Sequence, residues 1–177
     1  MRGYGRLVDV QTPATVLLDR LGISYGVHRY AHDPNAESFG MEAAVVLGLE
    51  PDIVFKTLMA RLEGERGPLV VAIVPVAEKL DLKALARAAG AKRATMAALA
   101  DAERATGYVA GGISPFGQKR GHRTFIDESA EICERIYVSG GQRGLDISLA
   151  PADLVATLEA DVAGLIEPVD PTMSALA

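Results

Sequence analysis

V-F-K-T-L-M-A-R-L at Val54–Leu62 and L-V-V-A-I-V-P-V at Leu69–Val76 are two apolar segments separated only by E-G-E-R-G-P, Glu63–Pro68. A connection of this length, rich in Gly and charge, joins antiparallel strands, whereas parallel neighbours need a crossover of roughly a dozen residues or more. The pair therefore reads as a β-hairpin and argues against a doubly wound nucleotide-binding sheet. Lys56 then stands on a strand, where its position is better defined than on a loop.

Helical signals surround the hairpin. Thr12 caps a predicted helix with Pro13 at its first position, Val16, Leu17, Leu18 and Leu21 facing inward, and Gly22 at its end. Ile23, Tyr25 and Val27 alternate with polar or small residues, the two-residue rhythm of a strand running to Tyr30, before a turn at His32–Pro34. Ser38 caps a short helix ended by Gly48, and Asp81 caps Leu82–Ala89, closed by Gly90. Met96–Ala105 reads as an Ala-rich helix. Thr124–Asp127 and Arg135–Ser139 read as strands, the second pairing with Leu145–Leu149 across Gly140–Gly144. Pro151 opens a last helix carrying Leu154, Val155, Leu158, Val162 and Leu165. Helices mixed with hairpin-connected strands make the fold class α+β.

With 177 residues, the chain suits one domain with a real core. No apolar run approaches the roughly 20 residues of a membrane span. Met1–Gln11 lacks the apolar centre of a signal peptide, and cytoplasmic residence is the default expectation. The lone Cys133 agrees with a reducing compartment and has no internal disulfide partner. Net charge is −5, which argues against nucleic-acid binding by overall electrostatics. A local exception is Q-K-R-G-H-R, where Lys119, Arg120 and Arg123 are candidate nucleic-acid phosphate contacts or simply a solvated loop. His28, His32 and His122 lack ligand spacing, so neither a metal nor any other cofactor is called for. No G-x-S-x-G elbow or Walker lysine is present.

T-G-Y-V-A-G-G-I-S-P-F-G, Thr106–Gly117, reads equally as a turn or as a pocket wall whose glycines let backbone amides approach a ligand. Lys56 and Tyr30 have structural readings too, as an exposed strand lysine and a core aromatic with a wet tip. The succession of motifs decides among these. T-P-A at Thr12–Ala14, Y-A-H-D-P at Tyr30–Pro34, F-K-T-L at Phe55–Leu58, A-I-V-P-V at Ala72–Val76 and L-D-L-K at Leu80–Lys83 occur in order, followed by the glycine loop extended to Lys119 and Y-V-S-G-G-Q-R-G-L-D-I at Tyr137–Ile147. In this order they resemble the YbaK family of trans-editing aminoacyl-tRNA deacylases, relatives of the editing domain inserted in bacterial prolyl-tRNA synthetase.

The resemblance covers roughly residues 12–166, leaving 1–11 as an N-terminal extension and 167–177 as a tail expected to fray. It implies a mixed, largely antiparallel, barrel-like sheet surrounded by helices. It assigns catalytic positions to Lys56, Gly111, Ser139 and Asp146, and substrate contacts to Tyr30, Thr57, Gly112, Ile113 and Ser114. Asp146 would meet the substrate α-ammonium group or orient Lys56. The branch it most resembles implies Cys-tRNA(Pro), and also Cys-tRNA(Cys), as substrate, the substrate's own thiol as nucleophile, and prolyl-tRNA synthetase with tRNA(Pro) as partner. Cys133 is then dispensable. A deacylase for another small residue such as Ala, and a non-catalytic tRNA- or synthetase-binding module, are the alternatives.

Overall fold

The computed structural model describes residues 11–64 and 66–168. The expected N-terminal extension, apart from Gln11, and the tail beyond Pro168 lie outside the described residues, as does Glu65 of the hairpin turn. The predicted hairpin forms β2 (Phe55–Leu62) and β3 (Leu69–Pro75), antiparallel, with Lys56 opposite Val74. Residues 70–74 of β3 are at most 2% exposed, which explains their unbroken apolar character: this strand is covered on both faces. On one side of it β2 also pairs with β4 (Ala94–Met96); on the other, β5 (Arg123–Asp127) and then β8 (Asp161–Ala163) add in parallel. The result is a five-stranded mixed sheet.

A second sheet of three antiparallel strands consists of β1 (Gly26–Arg29), β7 (Leu145–Leu149) and β6 (Ile136–Gln142). Leu145, Ile147 and Leu149 are fully buried on its inner face, as their alternation predicts, and Ile147 and Leu149 pack with Phe55, Ile73 and Ile126 of the first sheet into the main core. The sheets join at one parallel bridge, Val54 to Tyr137, and do not close into a barrel among the described residues. On the far face of the larger sheet, α3 (Leu82–Ala89) seats Leu85 against Ala60, Val70, Val74 and Phe125.

Helix caps follow the sequence closely. Thr12 and Thr15 form a reciprocal capping box on α1 (Pro13–Leu21), Ser38 accepts from Met41 N–H at the start of α2 (Phe39–Leu47), and Asp81 caps α3. Gly22, Gly48 and Gly90 end these three in the left-handed conformation.

Several expectations are corrected. Val16 and Leu21 are each 51% exposed, because α1 packs through its small face, Ala14 and Thr15, with Leu18. In β1, Val27 lies opposite Ile147 on the inner face yet is 43% exposed, while on the other face the His28 ring bonds the Ser148 hydroxyl at 2.8 Å and packs on Tyr137. Met96 lies in β4, and the Ala-rich helix is confined to α4 (Leu99–Thr106). The last helix, α5 (Pro151–Leu158), stops at Glu159, so Val162 belongs to β8 and Leu165 follows it. Glu167, placed in the fraying tail, donates its N–H to Lys79.

Thr12 also donates its hydroxyl to the Gly140 carbonyl at 2.6 Å, tying α1 to β6. Thr12→Ala removes the cap and this link together, and a loss of about 1–2 kcal/mol of stability is expected, read as a lower denaturation midpoint in urea at unchanged slope.

Candidate functional site

A cavity of about 270 Å³ opens where the start of β2 meets the outer face of the small sheet and the glycine loop. Tyr30, Lys56, Thr57, Gly111, Ile113, Ser139 and Asp146 all line it. These seven come from five separate segments, assembled by strand register. Ser139 of β6 stands directly opposite Asp146 of β7, so both side chains project from the same face. Beyond Ser139 the β6–β7 register shifts, and Gln142 rather than Gly140 pairs near the turn, facing Leu145.

Lys56 Nζ donates to the carbonyls of Glu78 at 2.6 Å and Val76 at 3.3 Å. An ammonium has three donors, so one remains for the cavity. Burial lowers its pKa, and the charge of Glu78 partly opposes that shift. Asp146 is 6% exposed and its carboxyl has no hydrogen-bond partner among the described residues; burial pushes its pKa up to about 7. No ion pair joins it to Lys56, whose ammonium is oriented by backbone carbonyls instead. Of the two roles expected of Asp146, the orienting of Lys56 is not what this structure shows. Tyr30, driven to about 12 by burial and by the nearby Asp146 and Glu42, stays a neutral hydroxyl at any working pH.

Two further polar groups at the cavity are unspent. Thr57 Oγ1 is buried with no hydrogen-bond partner. The Ser139 hydroxyl accepts from Gly141 N–H at 3.3 Å, which leaves its own proton to donate. Unsatisfied buried groups are costly in a folded chain, and several at one cavity are the signature of a ligand's place.

The glycine loop works differently from the expectation. Gly111 has φ of +79°, and a Cβ there would come within 2.5 Å of the Phe39 ring. Its N–H has no intramolecular partner among the described residues. Gly112 does not line the cavity: its N–H closes a turn onto Val109 at 2.9 Å, and its α-carbon abuts the Gln142 backbone. Ser114 is fully buried, with its hydroxyl accepting from Phe116 N–H. Both frame the loop, and direct contact with a ligand in this cavity is not available to either.

Lys119, Arg120 and Arg123 do not line the cavity. Arg123 pairs with Asp161 at 2.9 Å and donates to the Ala89 carbonyl; it sits beside Val70, at the other end of β3 from Lys56. Cys133 is likewise absent from the lining and donates to the Ser129 carbonyl.

Sequence reading missed one wall entirely. Glu37, Ser38, Phe39, Gly40 and Ala43 bring the first turn of α2, whose N–H groups no helical carbonyl satisfies, to the cavity. The Ser38 cap was visible, but nothing local says what a helix start faces. Glu42 anchors this wall by bonding His32 Nδ1 at 2.8 Å and Asp33 N–H. Arg143 stacks on the Phe39 ring at 5.1 Å and donates to the Ala110 carbonyl, binding helix, hairpin turn and glycine loop together.

Residues 33–157 match the family model described as an aminoacyl-tRNA editing domain. The chain is 37% identical over 146 residues to an Enterococcus faecalis protein, EbsC, that carries the provisional name Cys-tRNA(Pro)/Cys-tRNA(Cys) deacylase; the match spans 82% of this chain and 87% of that one. Among solved structures, one provisionally titled a trans-editing enzyme for prolyl tRNA synthetase superposes with a TM-score of 0.77 at 24% identity, covering 90% of this chain and all of the other. A hypothetical protein superposes with a TM-score of 0.78 at 20% identity, over 88% of this chain and all of its own. These last two likenesses concern the fold.

A carboxyl whose pKa is raised by folding contributes stability that is complete below about 4 and is lost as pH rises through about 7. Asp146→Asn cannot ionise, and the expected outcome is loss of that component: between pH 5 and 8 the variant's unfolding midpoint falls less than the wild type's, as read by thermal denaturation.

Proposed function

The chain belongs to the aminoacyl-tRNA editing domain family, and from that premise we propose that it is a trans-acting deacylase that cleaves Cys-tRNA(Pro), and also Cys-tRNA(Cys), in the cytoplasm. The observation that carries the reading is the convergence, at one compact cavity, of Lys56 with a spare donor, an unpartnered Asp146 carboxyl, the unspent Thr57 and Ser139 hydroxyls and the free Gly111 N–H. An aminoacyl ester presents a cationic α-amino group, a carbonyl oxygen that becomes negative during cleavage, and a ribose hydroxyl as leaving group. The cavity has a complement for each.

Asp146 receives the α-ammonium group. The arriving cation favours ionisation of a carboxyl that burial alone keeps near neutrality, so binding and charge formation reinforce each other. Lys56 and the Gly111 N–H face the carbonyl oxygen and stabilise its developing charge, a role for fixed donors in a site partly closed to water. Tyr30 and Ser139 hold the aminoacyl end through their hydroxyls. None of these groups is a nucleophile in waiting.

The nucleophile is the cysteinyl thiol of the substrate. Its sulfur bonds the ester carbon, the carbon–oxygen bond to ribose breaks, and the thiol proton passes to the departing ribose oxygen. Cysteine leaves as a four-membered thiolactone, which water opens. Catalysis is then mostly positioning and charge stabilisation. Editing of this kind answers a physical limit, because a synthetase pocket discriminates weakly against residues close in size to its own. The deacylase unit spans residues 12–166 and meets its substrate beside prolyl-tRNA synthetase, which raises the local concentration of the acylated end.

Lys56→Ala is expected to lower kcat about 10²–10³-fold on Cys-tRNA(Pro) with the fold retained by circular dichroism. Wild-type turnover would remove Lys56 from the mechanism. A panel of Cys-, Ala- and Ser-tRNA(Pro) tests the chemistry: Cys133→Ser retains most activity, while replacing the substrate thiol by the seryl hydroxyl costs far more. Rapid cleavage of Ser-tRNA(Pro) would point to water or the ribose hydroxyl as nucleophile. Preferential cleavage of Ala-tRNA(Pro) would reassign the specificity.

A further inference from the structure

On the other side of the glycine loop lies a second cavity, about 500 Å³, between α1, the segment following Ser114 and the end of α5. Its charged side chains are Arg20 and Arg120, joined by the polar ring of His122, and no carboxylate lines it. In a chain with 23 acidic and 18 basic residues, an acid-free groove holding two guanidinium groups is a departure from the average surface. Neither arginine has an ion pair or a side-chain hydrogen bond among the described residues. Asp19, the acid next to Arg20, is occupied by the Tyr25 hydroxyl at 2.9 Å. Arg123, by contrast, is already neutralised by Asp161.

The groove is braced to the first cavity. His122 Nδ1 lies 3.0 Å from Gln118 Oε1, and Gln118 Nε2 donates to the Ser114 carbonyl at 3.0 Å. With the amide nitrogen so used, Gln118 Oε1 is the acceptor and His122 Nδ1 carries the proton. Ser114 belongs to the same loop as Gly111 and Ile113 of the first cavity, and the loop's far end is clamped where Gly117 packs directly on the Pro13 backbone. Gly111 and Pro115, one in each lining, are four residues apart, so at most about 14 Å of chain separates them.

We infer that this groove is a docking site for RNA phosphodiesters, seating the single-stranded acceptor end of the substrate when its aminoacyl group enters the first cavity. The inference rests on the deacylase reading and adds the residues that grip the nucleic acid. Arg20 and Arg120 each neutralise a phosphate. Two contacts make a weak, salt-sensitive grip, in keeping with a chain of net charge −5.

The test uses the full chain and the variant Arg20→Gln/Arg120→Gln. Binding of uncharged tRNA(Pro) and of its isolated 3′-terminal RNA strand is followed by fluorescence anisotropy across a salt series. The expected result is a loss of roughly ten-fold in affinity, with a salt slope shallower by about 1.4 for two single-strand phosphate contacts. In parallel, KM for Cys-tRNA(Pro) rises about ten-fold, while kcat/KM for the cysteinyl ester of adenosine, which has no phosphodiester, is unchanged. Unaltered affinity and slope in the variant overturn the inference. So does an equal loss on the adenosine ester, which marks a structural disturbance, or wild-type preference for a glutamate peptide over RNA of equal charge. The anisotropy arm needs no turnover, so a wild type that cleaves no aminoacyl-tRNA sinks the deacylase reading while the groove is still judged by binding.

Discussion

Burial of β3 on both faces is the constraint from which the rest of the site follows. A strand with core on either side cannot slip by one residue without turning its entire apolar set, so the β2–β3 register is strongly specified. That register sets Lys56 opposite Val74 and within reach of the Val76 and Glu78 carbonyls where the chain leaves the sheet. A flexible four-carbon side chain is thereby held by two backbone acceptors, with one donor directed elsewhere. The apolar hairpin and the candidate catalytic cation are one feature seen at two levels.

The second sheet supplies the opposite charge by the same logic. Its inner face, Leu145, Ile147 and Leu149, is committed to the core, and strict alternation puts Asp146 and Ser148 on the other side. Ser148 is absorbed by His28 and Arg135, whereas Asp146 is left without a partner. Burying an unpaired carboxyl costs stability, and it persists where function needs a group ready to change its charge.

Much of this architecture was legible in the chain. The hairpin, the caps at Thr12, Ser38 and Asp81, and the buried face of Leu145–Leu149 carry signals in their own residues, since capping and alternation are local chemistry. Met96 of β4 and Val162 of β8 fall in predicted helices because three-residue strands show no period, and the pairing of these strands with Ala60–Leu62 and Phe125–Asp127 is decided by distant partners. For the same reason α2 was recognised as a helix but not as a wall of the cavity. Resemblance located Tyr30, Lys56, Gly111, Ser139 and Asp146 together; residue chemistry alone left Tyr30, Lys56 and the glycine loop with structural readings. Resemblance also grouped Gly112 and Ser114 with them, yet in a turn neighbouring residues face different ways, and these two face the protein.

The contact between Gly111 and Phe39 separates two properties that enzymes often combine in one element. The space a Cβ would take at Gly111 is filled by an aromatic ring carried on α2, and that ring is held from outside by Arg143. The width of the cavity on this side therefore belongs to a helix, while the unspent donors, Lys56 and the Gly111 N–H, belong to β2 and the glycine loop. Changes in α2 can retune which side chains fit without moving a candidate catalytic group. A family built this way can diverge in substrate while its chemistry stays where it was.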